Sequence, residues 1–162
     1  MMFPPPVHLS KVVIIGVGLI GSSFARALKK WRLCEQIVGC GRSFATLEEG
    51  LALGVIDVVE TDMRRAVQGA DLVFLAMPIG ATENVLAAIA PFLDARTIIT
   101  DAGSVKGSVI EAARRVFGTV PANFIPGHPI AGSEQSGVAA GQADLFCHHK
   151  VILTPLPESS VE

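Results

Sequence analysis

The histidine of the segment FIPGHPIAGSE, His128, is the residue of this sequence best suited to proton transfer. Histidine titrates near neutral pH, so a neutral imidazole can accept the proton of a hydroxyl group. Gly127 and Pro129 flank it, and the proline ring restricts the backbone and therefore the directions in which the imidazole can point. The small residues Ala131 and Gly132 leave room for a ligand. The alternative is a histidine at the edge of the fold that is hydrogen-bonded to backbone.

A glycine motif near the start of the chain indicates a second role, the binding of a dinucleotide. Its residues are Gly16, Gly18 and Gly21, with Leu19 and Ile20 between the last two, in the pattern G-x-G-x-x-G. The motif follows a run of β-branched residues typical of a buried strand and opens a segment with helical spacing, the context in which it is informative. Gly16 permits a tight turn, Gly18 lets backbone approach a pyrophosphate, and Gly21 lets helix and strand pack closely. The alternative is a strand-to-helix turn without a ligand.

The residues after the next strand bear on the choice between NAD and NADP. Motifs that bind NAD place an acid about 20 residues further on, where it binds the ribose hydroxyls. Gly41 occupies that place here, and Arg42 and Ser43 follow it. A guanidinium and a hydroxyl can hold a 2′-phosphate, so we favour NADP over NAD as the cofactor. Arg42 could instead stack on the adenine or face water.

Strands and helices alternate along the chain, and this order predicts the fold class. Strands are predicted at residues 11–16, 36–41, 71–78, 96–104, 123–129 and 149–155, and helices at 19–31, 43–54 (capped by Ser43), 81–93 and 105–117. We predict an α/β fold of the Rossmann type, a doubly wound, mainly parallel sheet with helices on both faces. Parallel strands joined by right-handed crossovers end at one edge of the sheet, where ligands bind. The strand ends expected there are Gly16, Gly41, Pro78, Gly103 and His128.

Composition and charge narrow the possible classes of protein. With 162 residues, 50% of them hydrophobic and 17% charged, the chain suits one ordered domain with a sizeable core. The formal net charge of −2 and the lack of a basic run argue against a nucleic acid partner. No apolar run approaches the length of about 18 residues that a membrane span requires, and the N-terminus lacks a signal-peptide pattern. We therefore expect a cytoplasmic protein.

The spacing of cysteine and histidine gives no reason to expect a disulfide or a metal. The cysteines are Cys34, Cys40 and Cys147, an odd number without paired spacing, and we interpret them as reduced thiols. His148 and His149 are adjacent, so they cannot share one face of a helix or a strand. We therefore predict no metal site.

Three motifs together resemble one family of enzymes. The motifs are GVGLIGSS, DAGSVK and GHPIAGSE, and the resemblance to the prephenate/arogenate (cyclohexadienyl) dehydrogenases of tyrosine biosynthesis runs over residues 11–155. The glycine motif is shared by many dehydrogenases, whereas the combination of the other two is much more specific. The resemblance implies a parent enzyme that oxidises the ring carbinol of prephenate or arogenate with NAD or NADP, with loss of carbon dioxide.

The resemblance also implies roles for individual residues. His128 would accept the hydroxyl proton. Ser104 would hydrogen-bond the substrate hydroxyl beside the nicotinamide, although it could also be a helix N-cap. Lys106 would attract a substrate carboxylate or, as the alternative, lie solvated on its helix. Ser133 and Glu134 would line the entrance of the substrate pocket, or form an N-cap and helix-dipole pair.

Two strand ends complete the expected site. The strand predicted at residues 71–78 ends with Ala76, Met77 and Pro78, which we expect to run under the cofactor. The next runs into Gly103, which we also assign to the cofactor site. Asp101 begins the loop to Ser104 and could orient that loop by hydrogen bonds.

The resemblance implies a second domain as well. Enzymes of this family continue with a mainly helical domain that forms a homodimer and completes the substrate pocket. We expect residues 1–10 to be a flexible arm, residues 11–155 the NAD(P)-binding Rossmann domain, and residues 156–162 a tail or linker to the absent helical domain. The chain alone should bind NAD(P) and turn over substrate poorly. The alternatives are another β-hydroxyacid-type dehydrogenase or a non-catalytic NAD(P)-binding module.

Overall fold

Within residues 7–160, the part of the chain that the computed structural model describes, six parallel strands form the central sheet. They are β1 (Leu9–Ile15), β2 (Cys34–Cys40), β3 (Val58–Val59), β4 (Leu72–Leu75), β5 (Ile98–Asp101) and β6 (Phe124–Ile125). The order across the sheet is β3-β2-β1-β4-β5-β6, so the direction of winding reverses between β1 and β4. This is the Rossmann-type α/β arrangement that the sequence predicts.

Helices cover both faces of this sheet, as predicted. They are α1 (Leu19–Lys30), α2 (Phe44–Ala52), α3 (Met63–Val67), α4 (Thr82–Ile89) and α5 (Lys106–Phe117). Successive side chains of a strand point to opposite faces. Val12 and Ile14 of β1 therefore enter the apolar cluster under α1 and α2, while Val13 and Ile15 enter the cluster under α3, α4 and α5. None of the helices in residues 7–160 has the length and apolar character needed to cross a membrane.

Two helix starts show how local hydrogen bonds decide a boundary. Ser43 caps α2, as predicted, and its hydroxyl oxygen accepts from the backbone N–H of Thr46 at 3.2 Å. Helix α5 begins after Val105, without a side-chain cap, so the alternative that Ser104 is the N-cap is wrong. The loop is closed earlier, because the N–H of Gly103 donates to the Asp101 carboxylate at 2.9 Å.

A short strand and a short helix between α2 and β4 were not predicted from the sequence. Strand β3 has two residues and α3 has five, which are too few to show a period. Helix α3 begins at the N-cap Asp62, whose carboxylate accepts from the N–H of Arg64 at 3.0 Å. This unpredicted strand–helix unit adds residues to the edge of the sheet where ligands bind.

The strand predicted at residues 123–129 is split in two, which corrects the placement of His128. Strand β6 ends at Ile125, and Pro126 follows, which has no N–H to continue the ladder. The chain then forms β7 (Gly127–Pro129), which pairs antiparallel with β8 (Val151–Leu153) in a separate two-stranded sheet. His128 therefore lies opposite Ile152 and does not end a strand of the parallel sheet.

After β7 the chain crosses to the face covered by α1 and α2. Val138, in a 3-10 turn at Val138–Ala140, is buried in that apolar cluster. Gly141 packs so closely on Ser22 of α1 that a Cβ atom would overlap with the hydroxyl group. These contacts anchor the far end of the largely exposed loop 131–137, which begins beside His128.

Both ends of the described chain differ from the expected boundaries. Strand β1 begins at Leu9, so Leu9 and Ser10 belong to the sheet and not to the arm predicted over residues 1–10. Residues 1–6 of that predicted arm lie outside the described residues. At the other end, Leu156 packs against the core, and the N–H of Ser160 donates to the carbonyl of Ala122 at 2.8 Å. Residues 156–160 thus pack on the domain, and residues 161–162 of the predicted tail lie outside the described residues.

Phe124 holds β6 in the core, directly before the segment that carries His128. Its ring is fully buried, so we predict that Phe124→Ala lowers the free energy of unfolding by about 3–5 kcal/mol through the cavity it leaves. Phe44→Ala is the control, since that side chain is 54% exposed, and we expect a change within about 0.5 kcal/mol. Urea unfolding of this chain, followed by circular dichroism, measures both. Equal losses would contradict the role of Phe124 as the anchor of β6.

Candidate functional site

The turn from β1 to α1 has a backbone that only glycine can follow. Gly16 has a φ of +97°, and a Cβ atom there would lie 2.6 Å from the carbonyl oxygen of Ala76, just after β4. A Cβ atom on Gly21 would overlap with the carbonyl oxygen of Gly16, so α1 rests directly on the turn. By contrast, nothing lies within 4 Å of a Cβ atom built on Gly18. The turn is therefore closed at Gly16 and Gly21 and open at Gly18.

The amino end of α1 supplies hydrogen-bond donors next to this opening. Gly18 is the N-cap, its carbonyl oxygen accepts from Ser22 Oγ at 2.5 Å, and no acidic residue lies in the first turn. The first N–H groups of a helix have no partner within it, and the helix dipole favours negative charge at that end. The arrangement can bind a phosphate or pyrophosphate through backbone groups alone.

A cavity of about 780 Å³ lies over this turn, along the carboxyl ends of β1, β2 and β4. Its volume is within the range of about 300–1,000 Å³ that is usual for small-molecule sites. The predicted cofactor residues that line it are Gly16, Gly18, Arg42, Ser43, Ala76, Met77 and Pro78. Strand ends far apart in the sequence therefore meet in one cavity, as the sheet topology predicts.

Other residues predicted for the cofactor site lie outside the cavity lining, namely Leu19, Ile20, Gly21 and Gly103. Ile20 packs against the apolar cluster under α1 and α2, and Gly21 supports the turn from below. A Cβ atom on Gly103 would lie 3.1 Å from Cγ1 of Ile79, the residue after Pro78. Gly103 thus joins the wall of the cavity to the loop that carries Ser104.

Sequence reasoning missed several residues that line the cavity. They include Val17, Thr46, Leu47, Thr61, Met63, Ala81, Asn84 and Val85. Thr61 and Met63 depend on β3, which is too short to recognise. Asn84 carried a usable signal, because it lies in the first turn of a helix that follows a predicted strand end, where ligand-facing residues of α/β folds occur.

The edge of the cavity at the end of β2 carries a positive charge. Arg42 is exposed, and no group within residues 7–160 forms a hydrogen bond or ion pair with its guanidinium. The hydroxyl oxygen of Ser43 accepts from Thr46 Oγ1 at 2.9 Å as well as from the Thr46 N–H, which leaves its own proton free to donate. Donors of this kind suit a phosphate group.

Two ionisable side chains beside the cavity have shifted pKa values. Burial raises the pKa of the Cys40 thiol to about 11, so this thiol stays neutral. Hydrogen bonds from the side chain and backbone of Arg64 lower the pKa of the Asp62 carboxyl, which stays ionised. Neither group is therefore suited to proton exchange near neutral pH. No cluster of three or more His, Cys, Asp or Glu side chains that could hold a metal occurs among the described residues.

A buried ion pair organises the second part of the site, at the end of β5. Asp101 is 3% exposed, and its carboxylate pairs with the Lys106 ammonium. The carboxylate also accepts from the N–H of Gly103 at 2.9 Å and from the N–H of Gly127 at 3.0 Å. Lys106 donates in addition to the Gly127 carbonyl oxygen at 2.5 Å. The alternative that Lys106 is a solvated helix residue is wrong, because its side chain is 16% exposed and doubly bound.

His128 and Ser104 follow these two glycines directly in the sequence. His128 is half-buried and Ser104 is exposed. Within residues 7–160, no group hydrogen-bonds to the imidazole of His128 or to the hydroxyl of Ser104. The alternative, a histidine whose ring is hydrogen-bonded to backbone, is therefore wrong. Both side chains are available to a ligand.

The loop after β7 carries the two residues predicted at the pocket entrance. Ser133 and Glu134 are both exposed. The Ser133 hydroxyl oxygen accepts from the N–H of Gln135 at 3.1 Å, which closes a local turn. The next helical turn begins only at Val138, so the alternative of an N-cap and helix-dipole pair is wrong.

Comparison with known proteins agrees with this geometry. Residues 24–162 match the family described as prephenate dehydrogenase, nucleotide-binding domain. The cyclohexadienyl dehydrogenase of Zymomonas mobilis subsp. mobilis is 44% identical over 145 residues, which cover 89% of this chain and 48% of that protein. The prephenate dehydrogenase of Lactococcus lactis subsp. cremoris is 40% identical over 149 residues, which cover 90% of this chain and 41% of that protein.

A solved structure extends the agreement to the fold. The prephenate dehydrogenase of Aquifex aeolicus, in complex with hydroxyphenyl propionate and NAD⁺, superposes with a TM-score of 0.86 at 30% identity, covering 96% of this chain and 54% of that chain. The chain thus spans about half the length of the relatives it matches. Because residues 24–162, most of its length, match the family, this chain belongs to the prephenate dehydrogenase family, in which it corresponds to the nucleotide-binding domain.

Proposed function

We propose that this chain is the NAD(P)-binding half of an enzyme that oxidatively decarboxylates prephenate, arogenate or both in tyrosine biosynthesis. The observation that carries the proposal is the position of His128, whose imidazole has no partner among the described residues. Its neighbour Gly127 is bound to a buried ion pair that adjoins the cavity wall through Gly103. The relatives described above, which are named prephenate and cyclohexadienyl dehydrogenases, support the substrate class.

His128 and Ser104 would act on the ring hydroxyl of the substrate. A neutral imidazole nitrogen can accept the hydroxyl proton, and general-base catalysis of this kind contributes about 10²–10⁴-fold to a rate. The Ser104 hydroxyl would hydrogen-bond the same substrate oxygen and hold it beside the imidazole. These roles need a free imidazole nitrogen and a free hydroxyl group, and within residues 7–160 neither side chain has another hydrogen-bond partner.

Lys106, Ser133 and Glu134 would complete this domain's part of the substrate pocket. An ammonium group has three N–H donors, and Asp101 and Gly127 use two of those of Lys106. The third could contact a substrate carboxylate. Ser133 and Glu134 would line the entrance, since their exposed loop leaves β7 just after His128.

The dinucleotide would lie in the cavity along β1, β2 and β4. Gly18 leaves room for a pyrophosphate, and Leu19, Ile20 and Gly21 would offer backbone N–H groups at the start of α1. The far wall would be formed by Ala76, Met77 and Pro78, with Gly103 behind it. When bound, the nicotinamide supplies the acceptor for the hydride. The NAD⁺ in the structure of the Aquifex aeolicus relative supports a nicotinamide cofactor.

Arg42 supports NADP as the preferred cofactor. Its guanidinium lies at the end of β2 without a partner among the described residues, directly after Gly41, which stands where NAD-binding folds carry an acid. Gly41 has no side chain that could repel a 2′-phosphate, and the Ser43 hydroxyl has a proton to donate. We therefore propose that Arg42 and Ser43 bind the 2′-phosphate.

A helical domain beyond this chain would form the homodimer and complete the substrate pocket. The length of the relatives supports this proposal, because the chain spans 48% and 41% of two of them. The side chains of β8 also support it, since Val151, Ile152 and Leu153 are 53%, 48% and 58% exposed, and contiguous apolar surface is typical of an interface. We expect this chain alone to bind the cofactor and to turn over substrate poorly.

The exposed thiol of Cys147 forms no disulfide bond within the described residues. A free, exposed thiol of this kind fits a reducing compartment, and we propose the cytoplasm.

The role of His128 can be tested by removing its basic nitrogen. In the full-length protein, we expect His128→Asn to lower kcat/KM for prephenate or arogenate by about 10²–10⁴-fold, because the proton acceptor is lost. The Kd for NADP should stay unchanged. His8→Asn is the control, since the His8 side chain is exposed and lies 3.4 Å from the exposed carboxylate of Glu35. A loss smaller than about tenfold in His128→Asn would contradict general-base catalysis by this residue.

The cofactor preference can be tested at Arg42. We expect Arg42→Ala to weaken NADP binding by about ten- to hundredfold, because a charge-assisted hydrogen bond contributes about 1.5–3 kcal/mol. NAD binding should change little. Fluorescence titration of this chain measures both Kd values, and Arg96→Ala, an exposed arginine before β5, is the control. Equal losses for the two cofactors would instead indicate stacking on the adenine, and no loss for either would place the guanidinium in water.

The glycine turn can be tested by comparing three glycine-to-alanine variants. Gly18→Ala should leave the melting temperature unchanged and weaken dinucleotide binding at least about tenfold, because the added methyl group has space in the free chain but blocks the pyrophosphate. Gly21→Ala should destabilise the fold by about 1–3 kcal/mol, since its Cβ atom overlaps with backbone. Gly107→Ala, whose Cβ atom meets nothing within 4 Å, should affect neither property adversely. Tight NADP binding by Gly18→Ala would place the pyrophosphate elsewhere.

A further inference from the structure

Asp101 binds the backbone directly before each of the two proposed catalytic residues, at Gly103 and at Gly127. We propose that it is a positioning residue, whose carboxylate fixes the loop of Ser104 and the strand of His128 relative to each other through Gly103 and Gly127. This inference rests on the proposed function, in which His128 accepts the proton and Ser104 binds the hydroxyl.

The two carboxylate oxygens of Asp101 hold two separate segments of chain. Oδ2 accepts from the N–H of Gly103 at 2.9 Å and from the Lys106 ammonium, and Oδ1 accepts from the N–H of Gly127 at 3.0 Å. Asp101 and Gly127 are 26 residues apart in the sequence. Lys106 also binds the Gly127 carbonyl oxygen at 2.5 Å. Both polar backbone groups of the residue before His128 are therefore held by one ion pair.

Steric contacts leave these glycines little freedom to move. A Cβ atom on Gly103 would lie 2.9 Å from Asp101 Oδ2. A Cβ atom on Gly127 would lie 3.0 Å from the Asp101 carbonyl oxygen and 3.2 Å from Thr100 Oγ1. A side chain at either glycine would therefore crowd β5, so the backbone before Ser104 and before His128 approaches Asp101 this closely only because both residues are glycine.

The choice of a charged pair at this position favours geometry over stability. Burying two charges costs desolvation energy that their attraction only partly offsets, and apolar residues of similar volume would stabilise a fold as well or better. A carboxylate, however, accepts directional hydrogen bonds from two segments at once, which no apolar contact can do. A displacement of about 1 Å can lower a rate by about 10²-fold. Hydrogen bonds from the ion pair to Gly127 can therefore sustain the rate by holding His128 in place.

Asp101→Asn is the variant that removes this function with little change in shape. One oxygen becomes an NH₂ group, which must face either the Gly127 N–H or the donors at Gly103 and Lys106, so at least one contact is lost. The matched control is Asp57→Asn. Asp57 also bridges a backbone N–H and a lysine, Ile37 at 2.8 Å and Lys29 at 2.5 Å, but it directly precedes β3, its side chain is 37% exposed, and it does not line the cavity.

We expect Asp101→Asn in the full-length protein to lower kcat by about 10- to 100-fold, with the Kd for NADP unchanged. Asp57→Asn should leave kcat unchanged. Rates are expressed per NADP-binding site, so that a loss of folded protein does not count as a loss of activity. In a His128→Asn background, the added Asp101→Asn change should lower the residual rate by less than about threefold, because residues that act as a unit are not additive.

The outcomes separate this inference from the function on which it rests. If His128→Asn keeps its turnover, the proposed function fails, whatever Asp101 does. If His128→Asn is inactive while Asp101→Asn keeps the wild-type kcat, the positioning role is wrong and the function stands. An equal loss of kcat from Asp101→Asn in both backgrounds would also overturn the role, since Asp101 would then act independently of His128.

A second variant covers the case in which Asp101→Asn does not fold. Lys106→Gln keeps the carboxylate charged and weakens the hold on the Gly127 carbonyl oxygen. We expect it to lower kcat at least about fivefold per NADP-binding site, because His128 loses part of its support, whereas loss of a contact with the substrate carboxylate alone would raise KM and leave kcat unchanged. An unchanged kcat in this variant would overturn the positioning role.

Discussion

Contact between the β1–α1 turn and the end of β4 sets the geometry of the cavity. The backbone at Gly16 approaches the Ala76 carbonyl so closely that a side chain would lie 2.6 Å from it. Gly21 rests on the same turn, which fixes the direction in which α1 leaves and therefore the direction of its first N–H groups. Since β1 and β4 are neighbours where the strand order reverses, the crevice between their loops opens above this contact. The cavity thus depends on backbone packing more than on any side chain.

The same packing extends, neighbour by neighbour, to the residues proposed for catalysis. Beyond β4, Ile79 packs against Gly103, and Gly103 hydrogen-bonds to Asp101. Asp101 in turn binds Gly127, which precedes His128. Packed protein interiors transmit displacement because they contain few voids. One short series of contacts therefore fixes the position of the histidine relative to the cavity, although the histidine lies outside the parallel sheet.

The parallel sheet, its helices and the glycine turn could be predicted because each produces a local pattern in the sequence. β-Branched runs mark the buried strands, and the spacing of Gly16 to Gly21 marks the turn. The break after Ile125 could not be predicted in this way, since GHP pairs with residues 151–153, far along the chain. Arg42 and Met77, which the sequence predicts for the cofactor site, stand at recognisable strand ends and line the cavity. Thr61 was missed because it depends on β3, a strand of two residues.

Because β7 lies outside the parallel sheet, the two tasks of the proposed site rest on different interactions. The cavity is held by parallel strand pairing and by two apolar clusters, which are the main stabilising features of the domain. The placement of His128 depends instead on the Asp101–Lys106 pair and on the exposed strand β8. As a pair, two buried charges contribute little net stability, although loss of one partner leaves the other charge buried and uncompensated, so the value of this pair lies in the direction of its hydrogen bonds. A stable fold therefore does not by itself place His128; charge at the end of β5 has to specify that position separately.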